Sequence, residues 1–431
     1  MSRDLLGAVQ RWQQAHGDVV HLRIWPEHEV VVMDPALARE LLVNHHDALQ
    51  RWERGLQVFA QVHGRSVLVA EGEPWQRQRH ALQPAFAPKA VQAFVPTIAG
   101  AAADALRAWP ARHVRYPVES AITSLAMDVI MRLLFSSRIG ADARAAEQAV
   151  HTIGVVADQE MYWPASWPDS MPWKRPKREA LATLRGLIDR QVQARRAMAA
   201  ADWPDDLLSR LLRLQQDHPG VWTDTTVRDE CMTTFLAGHE TLAATLTWWA
   251  ACLAAHPAAQ QRAAEEVAAR LQGRAPDAQD IDALPWLRQT LQETLRMYPA
   301  APVLFSRRST RAIPLGPWQL PARTLFLVPV HRLHHDPRVF AEPQAFRPER
   351  FGPDAPPLPR GAWLPFGVGP RVCLGQHLAM AEMTVVAAML LQRFRLAPAD
   401  GEPAPRPVMH VTLRPERPLH LQLLPPPGGR G

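Results

Sequence analysis

The chain has 431 residues, 47% of them hydrophobic, and a formal charge of +6; with no composition break and no internal repeat it reads as one domain over residues 1–431. Three scattered cysteines, Cys231, Cys252 and Cys373, exclude a disulfide framework and a paired Cys-x-x-Cys metal site and fit a reducing cytoplasm. The dispersed basic residues lack an aromatic-interleaved motif, so they suit an acidic protein partner rather than nucleic acid. In chain order, the N-terminal Met-Ser-Arg-Asp-Leu-Leu-Gly has no long apolar run and predicts neither a signal peptide nor a stable membrane anchor. Asp4 to His16 has helical periodicity and stops at Gly17. Val20, Leu22 and Ile24 alternate, Val30 to Met33 is a second apolar run, and Trp25-Pro26-Glu27-His28 between them predicts a hairpin. Asp34-Pro35 caps a helix through Val43.

Arg51 to Val69 gives no clear pattern. Glu73-Pro74-Trp75 starts a helix in which Trp75 and Arg79, four apart, share a face. An ordinary amphipathic helix with a surface arginine reads the same way. Helices follow from Ala90 to Trp109 and from Pro117 to Phe135. Met161 to Trp173 holds three tryptophans and three prolines, which no regular helix tolerates. It reads as an apolar lid over the substrate entrance that could touch a membrane surface, or as aromatic loop packing; Lys174, Arg175, Lys177 and Arg178 read as a solvated charge run. A helix from Glu179 to Met198 breaks at 201–204, and Asp205-Asp206 opens another through Gln216.

Thr223-Asp224 caps a long helix to His256. At its centre is Phe-Leu-Ala237-Gly238-His-Glu240-Thr241. A glycine inside a helix costs about 1 kcal/mol relative to alanine. Beside the polar Glu240-Thr241 pair it predicts a helix locally opened towards a ligand; the alternative is a threonine that bonds back to the carbonyl four residues earlier. After Leu284-Pro285 a helix carries Glu293 and Arg296, three apart among apolar neighbours. His331, His334 and His335 lie close in sequence, but a metal site there is the weaker reading, and Asp336-Pro337 predicts a helix start. Phe366 to Gly375 places Cys373 among Gly367, Gly369 and Gly375, ahead of an apolar helix from Leu378 to Leu391. The glycines let the backbone turn tightly beside a flat ligand, and the helix N-terminus favours a thiolate. An inert buried cysteine is the plain alternative. Pro425 to Gly431 reads as a frayed end.

The pattern Phe366-x-x-Gly369-x-Arg371-x-Cys373-x-Gly375 resembles the haem-binding loop of the cytochrome P450 superfamily, whose cysteine is the axial thiolate of haem iron. Trp75-x-x-x-Arg79 resembles the pair that holds a haem propionate. Ala237-Gly238-x-Glu240-Thr241 resembles the oxygen-binding groove, with its acid–alcohol pair for proton delivery. Glu293-x-x-Arg296, completed by Arg350 of Phe346-Arg-Pro348-Glu-Arg350-Phe351, resembles the family's buried structural triad. These motifs fall in family order over nearly the whole chain.

The resemblance implies a mainly α fold with a small β region and haem b (iron protoporphyrin IX), bound by Trp75, Arg79, Arg307, Phe366, Arg371, Cys373 and Gly375. Arg307 fits the propionate position better than Arg308. It implies Thr241 and Glu240 as catalytic residues and a pocket of Ala237, Gly238, Val303, Leu304, His410 and Val411. The reaction would insert one atom of O₂ into an apolar small-molecule substrate by hydroxylation or epoxidation. No flavin or ferredoxin sequence follows Gly431, so a separate ferredoxin or flavodoxin-type donor with its reductase is expected. Two other readings are a peroxide-driven or rearranging enzyme on the same fold, which the intact Glu240-Thr241 pair argues against, and a haem gas-sensing module, which would need neither lid nor apolar pocket.

Overall fold

A 32-residue helix, Asp224–Ala255, runs through the middle of the molecule in the computed structural model, which describes residues 4–24, 27–161, 167 and 170–426. Thr223 caps it, its Oγ1 accepting from the Thr226 N–H at 3.2 Å. From Leu242 to Ala254 it is buried on every side, as its nearly unbroken apolar sequence requires. It packs along Val118–Phe135 and also against Gln376–Arg393, the helix behind the Cys373 loop. The helix is continuous through Gly238. A Cβ at Gly238 would stand 2.8 Å from Ile130 Cδ1, so the glycine permits a close helix crossing. This corrects the expectation that Gly238 opens the helix towards a ligand.

The largest sheet has five short strands in the order Val19–Ile24, Glu27–Val32, Leu325–Leu327, Arg307–Ser309, Leu49–Arg51. The first pair is antiparallel, with Val19 opposite Val32; the turn expected between them falls partly on residues 25–26, outside the described residues. The last pair sets Arg51 directly opposite Arg307. A second sheet joins His113–Tyr116, Leu421–Leu424 and Arg395–Pro398. The hairpin Pro407–Met409/Leu413–Pro415 presents the 410–412 turn to the central helix, where Trp248 Nε1 donates to the Leu413 carbonyl at 2.9 Å. The protein is thus mainly α with a small β region. Among the described residues no helix is long and apolar enough to cross a membrane.

Several sequence boundaries shift for local reasons. The helix at Pro35–Arg39 continues as a wider π turn over Glu40–Asn44. The expected 90–109 helix is two, Pro88–Gln92 and Val95–Ala108, because Pro96 suits only the first turn of a new helix. Asp336-Pro337 starts no helix: the Asp336 carboxylate accepts from the Arg338 N–H at 2.9 Å and closes an Asx turn instead. The expected charge run at 174–178 is not all solvated. Lys174 and Lys177 are buried and share the Glu160 carboxylate, which joins the Arg175–Arg196 helix to Ala143–Glu160. Of the 161–173 stretch, residues 162–166 and 168–169 lie outside the described residues; Trp167 and Trp173 are exposed and meet edge to face at 5.3 Å. The expected fray at 425–431 lies largely outside them too, since 427–431 are not described.

Candidate active site

Gly367 (φ 73°) and Gly369 (φ 79°) turn the Phe366–Gly375 loop through conformations that side chains rarely adopt. A Cβ at Gly369 would also stand 2.4 Å from the Leu42 carbonyl oxygen. The Cys373 N–H donates to the Phe366 carbonyl at 2.9 Å and closes the loop. Gly375 has an ordinary negative φ as the cap of the Gln376–Arg393 helix, and a Cβ there would meet nothing within 4 Å. Cys373 presents accessible surface although protein on all sides takes it out of bulk water. Burial therefore pushes its thiol above the ordinary range, while the Gly375 N–H and the Arg79 charge pull it part of the way back. The helix start alone does not make the thiolate expected from the sequence. A bound metal cation would, because a thiolate ligand must give up its proton.

Beside the loop lies a concentration of positive charge. Arg51 Nε donates to one Glu71 oxygen at 2.6 Å and Arg371 Nη2 to the other at 2.7 Å; both guanidiniums also reach the Ala70 carbonyl. Arg371 lies over the Trp75 ring at 3.9 Å, and Arg79 donates to the Val372 carbonyl at 2.9 Å, next to Cys373. The guanidinium of Arg307, opposite Arg51 in the sheet, donates among the described residues only to the Phe305 carbonyl, two residues earlier, at 2.6 Å. Four guanidiniums thus face one carboxylate among the described residues. Burial and the neighbouring Arg51 charge lower Arg371 to about 9 and Arg307 to about 10. Arg308 points the other way and is neutralised by Glu27 and Glu53. Adjacent on one strand, the two arginines thus lie on opposite faces.

This donor set fits a haem. One soft sulfur stands in a glycine loop that a flat ring can approach, and the surplus of partly buried guanidinium charge calls for anions such as two propionates. The Trp75 N–H makes no hydrogen bond to another described residue and is free to donate. Arg51 and Glu71 were not singled out in the sequence. The only signal was an arginine opening a stretch with no clear pattern and a glutamate just beyond its end.

On the central helix, Ala237 and Thr241 are exposed where most of the helix is buried. Thr241 Oγ1 donates to the Ala237 carbonyl at 2.8 Å, the back-bond named as the alternative. The Glu240 carboxylate accepts from Thr412 Oγ1 at 3.2 Å and lies 3.9 Å from Arg414, which also holds Glu119. The turn carrying His410 and Val411 is thereby tied to Glu240. Val303 and Leu304 are half-buried just before Arg307. Below the loop, Glu293 and Arg296 are fully buried at 2.7 Å, with Arg350 3.3 Å from the same carboxylate. The histidines serve the fold. His334 Nε2 accepts from the Leu364 N–H at 2.7 Å, and His335 stacks on His331 at 4.1 Å.

A cytochrome P450 family profile matches residues 2–423. The chain is 34% identical over 398 residues to a cyclooctat-9-en-7-ol 5-monooxygenase of Streptomyces melanosporofaciens, covering 90% of this chain and 84% of that one. It is 32% identical over 426 residues to the cyclooctatin synthase of the same organism, covering 96% and 89%. It is 30% identical over 393 residues to a leukotriene-B4 omega-hydroxylase 3 of Mus musculus, covering 84% and 74%. With the loop geometry and the arginine cluster, these matches place the protein: the chain belongs to the cytochrome P450 family of haem-dependent monooxygenases.

Proposed function

We propose that the protein, as one haem domain over residues 1–431, inserts one atom of O₂ into an apolar organic substrate by hydroxylation or epoxidation. Haem, as haem b, supplies the oxygen-activating chemistry when bound. Cys373 is its metal ligand, with Phe366 and Gly375 shaping the loop around the sulfur. Arg307, Arg371, Arg79 and the newly found Arg51 offset the propionate charges, and the Trp75 N–H donates to one of them. Ala237, Val303, Leu304, His410 and Val411 would line the substrate pocket and exclude water from it.

Thr241 Oγ1 gives its hydrogen to the Ala237 carbonyl and so presents a lone pair inward, which can accept from a water. Glu240, held by Thr412, supplies the proton reservoir one residue away. Electrons come from a separate ferredoxin or flavodoxin-type donor and its reductase, and the net charge of +6 favours an acidic one. The unbridged thiols support a reducing cytoplasm as its compartment. The observation that carries the reading is the glycine-bounded Cys373 beside a surplus of partly buried arginine. Turnover with labelled O₂, NAD(P)H and a surrogate ferredoxin system tests it. One labelled oxygen per product is expected; product from hydrogen peroxide alone, with none from the reductase system, would show a peroxide-driven enzyme instead.

A further inference from the structure

His63 ends the Glu53–His63 helix at a buried polar trio that the proposed proton chemistry does not use. Its Nδ1 lies 3.1 Å from Thr233 Oγ1, and Thr233 Oγ1 donates to Ser66 Oγ at 2.7 Å. Ser66 is fully buried and His63 is only 7% exposed. A hydroxyl has a single proton. Thr233 commits its proton to Ser66, so towards His63 it can only accept, and Nδ1 must carry the imidazole hydrogen. Nε2 is then a bare lone pair, without a hydrogen-bond partner among the described residues. Burial lowers the ring's pKa to about 4, so the ring is neutral near pH 7. Nε2 nonetheless keeps accessible surface although the residue is buried, so a donor from outside the protein can reach it.

The trio lies beside the elements that form the site. Thr233 sits on the central helix one turn before Ala237 and two before Thr241, about 12 Å from Thr241 along the axis at 1.5 Å per residue. On its other side His63 stacks on Phe59 at 5.8 Å, and Phe59 meets Phe305 edge-on at 4.8 Å. Phe305 in turn holds Arg307 through its carbonyl. An aromatic run therefore joins the central helix to the 301–305 segment, and the one unpaired polar atom in that run is a hydrogen-bond acceptor.

We infer that His63 Nε2 accepts a hydrogen bond from a substrate hydroxyl remote from the oxidised carbon, so that the preferred substrates are apolar alcohols. The inference rests on the proposed monooxygenase pocket. An ether, ketone or carboxylate would bring only lone pairs to a lone pair, and a plain hydrocarbon would leave Nε2 unpaired. A site built to pair with a hydroxyl rejects the analogue lacking it more sharply than an apolar wall rejects an added methylene. Thr233 and Ser66 are positioning residues here, because they fix which nitrogen bears the hydrogen.

The test titrates the haem-loaded protein with dodecanol, cyclododecanol and cedrol, each beside its methyl ether, and reads dissociation constants from the haem absorption band. For at least one skeleton the alcohol is expected to bind about tenfold more tightly than its ether, one hydrogen bond's worth. His63→Phe keeps an aromatic ring beside Phe59 and abolishes that preference. Thr233→Val, a second variant with nearly unchanged volume, frees the Nδ1 hydrogen to move to Nε2 and turns the preference towards the ether. Normal haem uptake shows that each variant is folded. Equal binding of alcohol and ether throughout, or an alcohol preference that survives His63→Phe, overturns the inference alone. No spectral response to any of the six compounds counts against the proposed pocket as well.

Discussion

Arg51 Nε holds Glu71 Oε1 at 2.6 Å across twenty residues of chain, while Arg371 holds the other oxygen of the same carboxylate. The pair ties the strand Leu49–Arg51 to the start of the Gly72–Leu82 helix and sets a third arginine, Arg307, opposite Arg51 in the sheet. Like charges directly opposite in a sheet repel. The arrangement is balanced only if Glu71 is joined by further anions, which is why the cluster reads as a ligand site.

Replacing Arg51 should therefore loosen haem. Arg51→Met removes one charge and the bonds to Glu71 and Ala70. The rate of haem transfer to a scavenging apo-globin should rise by about tenfold or more, the range for a hydrogen bond to a charged group. Arg308→Met is the control, because Arg308 serves Glu27 and Glu53 on the other side of the strand. If the two variants lose haem equally fast, Arg51 acts through the fold alone.

Cys373→His tests the ligand. The loop geometry rests on glycines and on the Cys373 N–H to Phe366 carbonyl bond, none of which needs the sulfur. Haem uptake should persist, and the thiolate-type absorption of the reduced CO complex should vanish. A variant that kept that absorption would move the ligand role to another residue.

Glu293→Gln tests the support below the loop. Arg296 is fully buried and is neutralised by Glu293, while Arg347 N–H and Arg350 bond the same carboxylate. Removing one charge of a buried pair costs about 3–5 kcal/mol. Urea denaturation followed by helical circular dichroism should show a loss of that size. A loss below about 1 kcal/mol, typical of surface pairs, would mean that the carbonyls of His334, Pro343 and Ala345 suffice for Arg296.

The motifs were legible because each is local. The Cys373 loop, Trp75/Arg79, Glu240-Thr241 and Glu293/Arg296 are spacings within one turn or one helix. What escaped was set by partners distant in sequence. Nothing near Gly238 announces Ile130, more than a hundred residues earlier, so a glycine at a close helix crossing read as one that opens the helix. Lys174 and Lys177 read as solvated until Glu160 was placed between them. Arg51 lay in the one stretch without periodicity, and only the sheet register reveals that it faces Arg307. At Asp336-Pro337 a favourable helix start lost to a shorter-range bond donated by the Arg338 N–H to the Asp336 carboxylate.

The buried histidines predict an acid limb of stability. Burial lowers His334 to about 3 and both His335 and His63 to about 4. In the unfolded chain each takes a proton near pH 6.5. Below that pH the unfolded state binds more protons, so stability is full above about 6.5 and is lost as pH falls towards the folded values. His334→Gln removes one of these groups. Between pH 6 and 4 its stability should fall less steeply than that of the wild type, by up to about 1.4 kcal/mol per pH unit. Parallel slopes from urea midpoints across that range would mean that His334 takes up its proton in the folded state.

Thr241→Ala separates fold from proton handling. Glu240 and Thr241 are neighbours on one helix, yet successive side chains point about 100° apart at 3.6 residues per turn. Glu240 reaches out to Thr412, and Thr241 bends back to the Ala237 carbonyl. That back-bond adds little to a helix that is continuous and well buried over its second half, and alanine is the best helix former. Haem content and the spectral response to substrate should therefore stay near wild type. What alanine removes is a lone pair that can hold a water in an otherwise apolar wall. Without it NAD(P)H consumption should continue, product formation should fall by up to about 10²-fold, and hydrogen peroxide per product should rise to match. Glu240→Gln leaves Thr241 and its bond intact and should slow turnover with a larger solvent isotope effect, because it removes the charge that exchanges protons. Wild-type coupling in Thr241→Ala would confine Thr241 to its backbone bond and pass the proton route to Glu240 and the Thr412–Arg414 network.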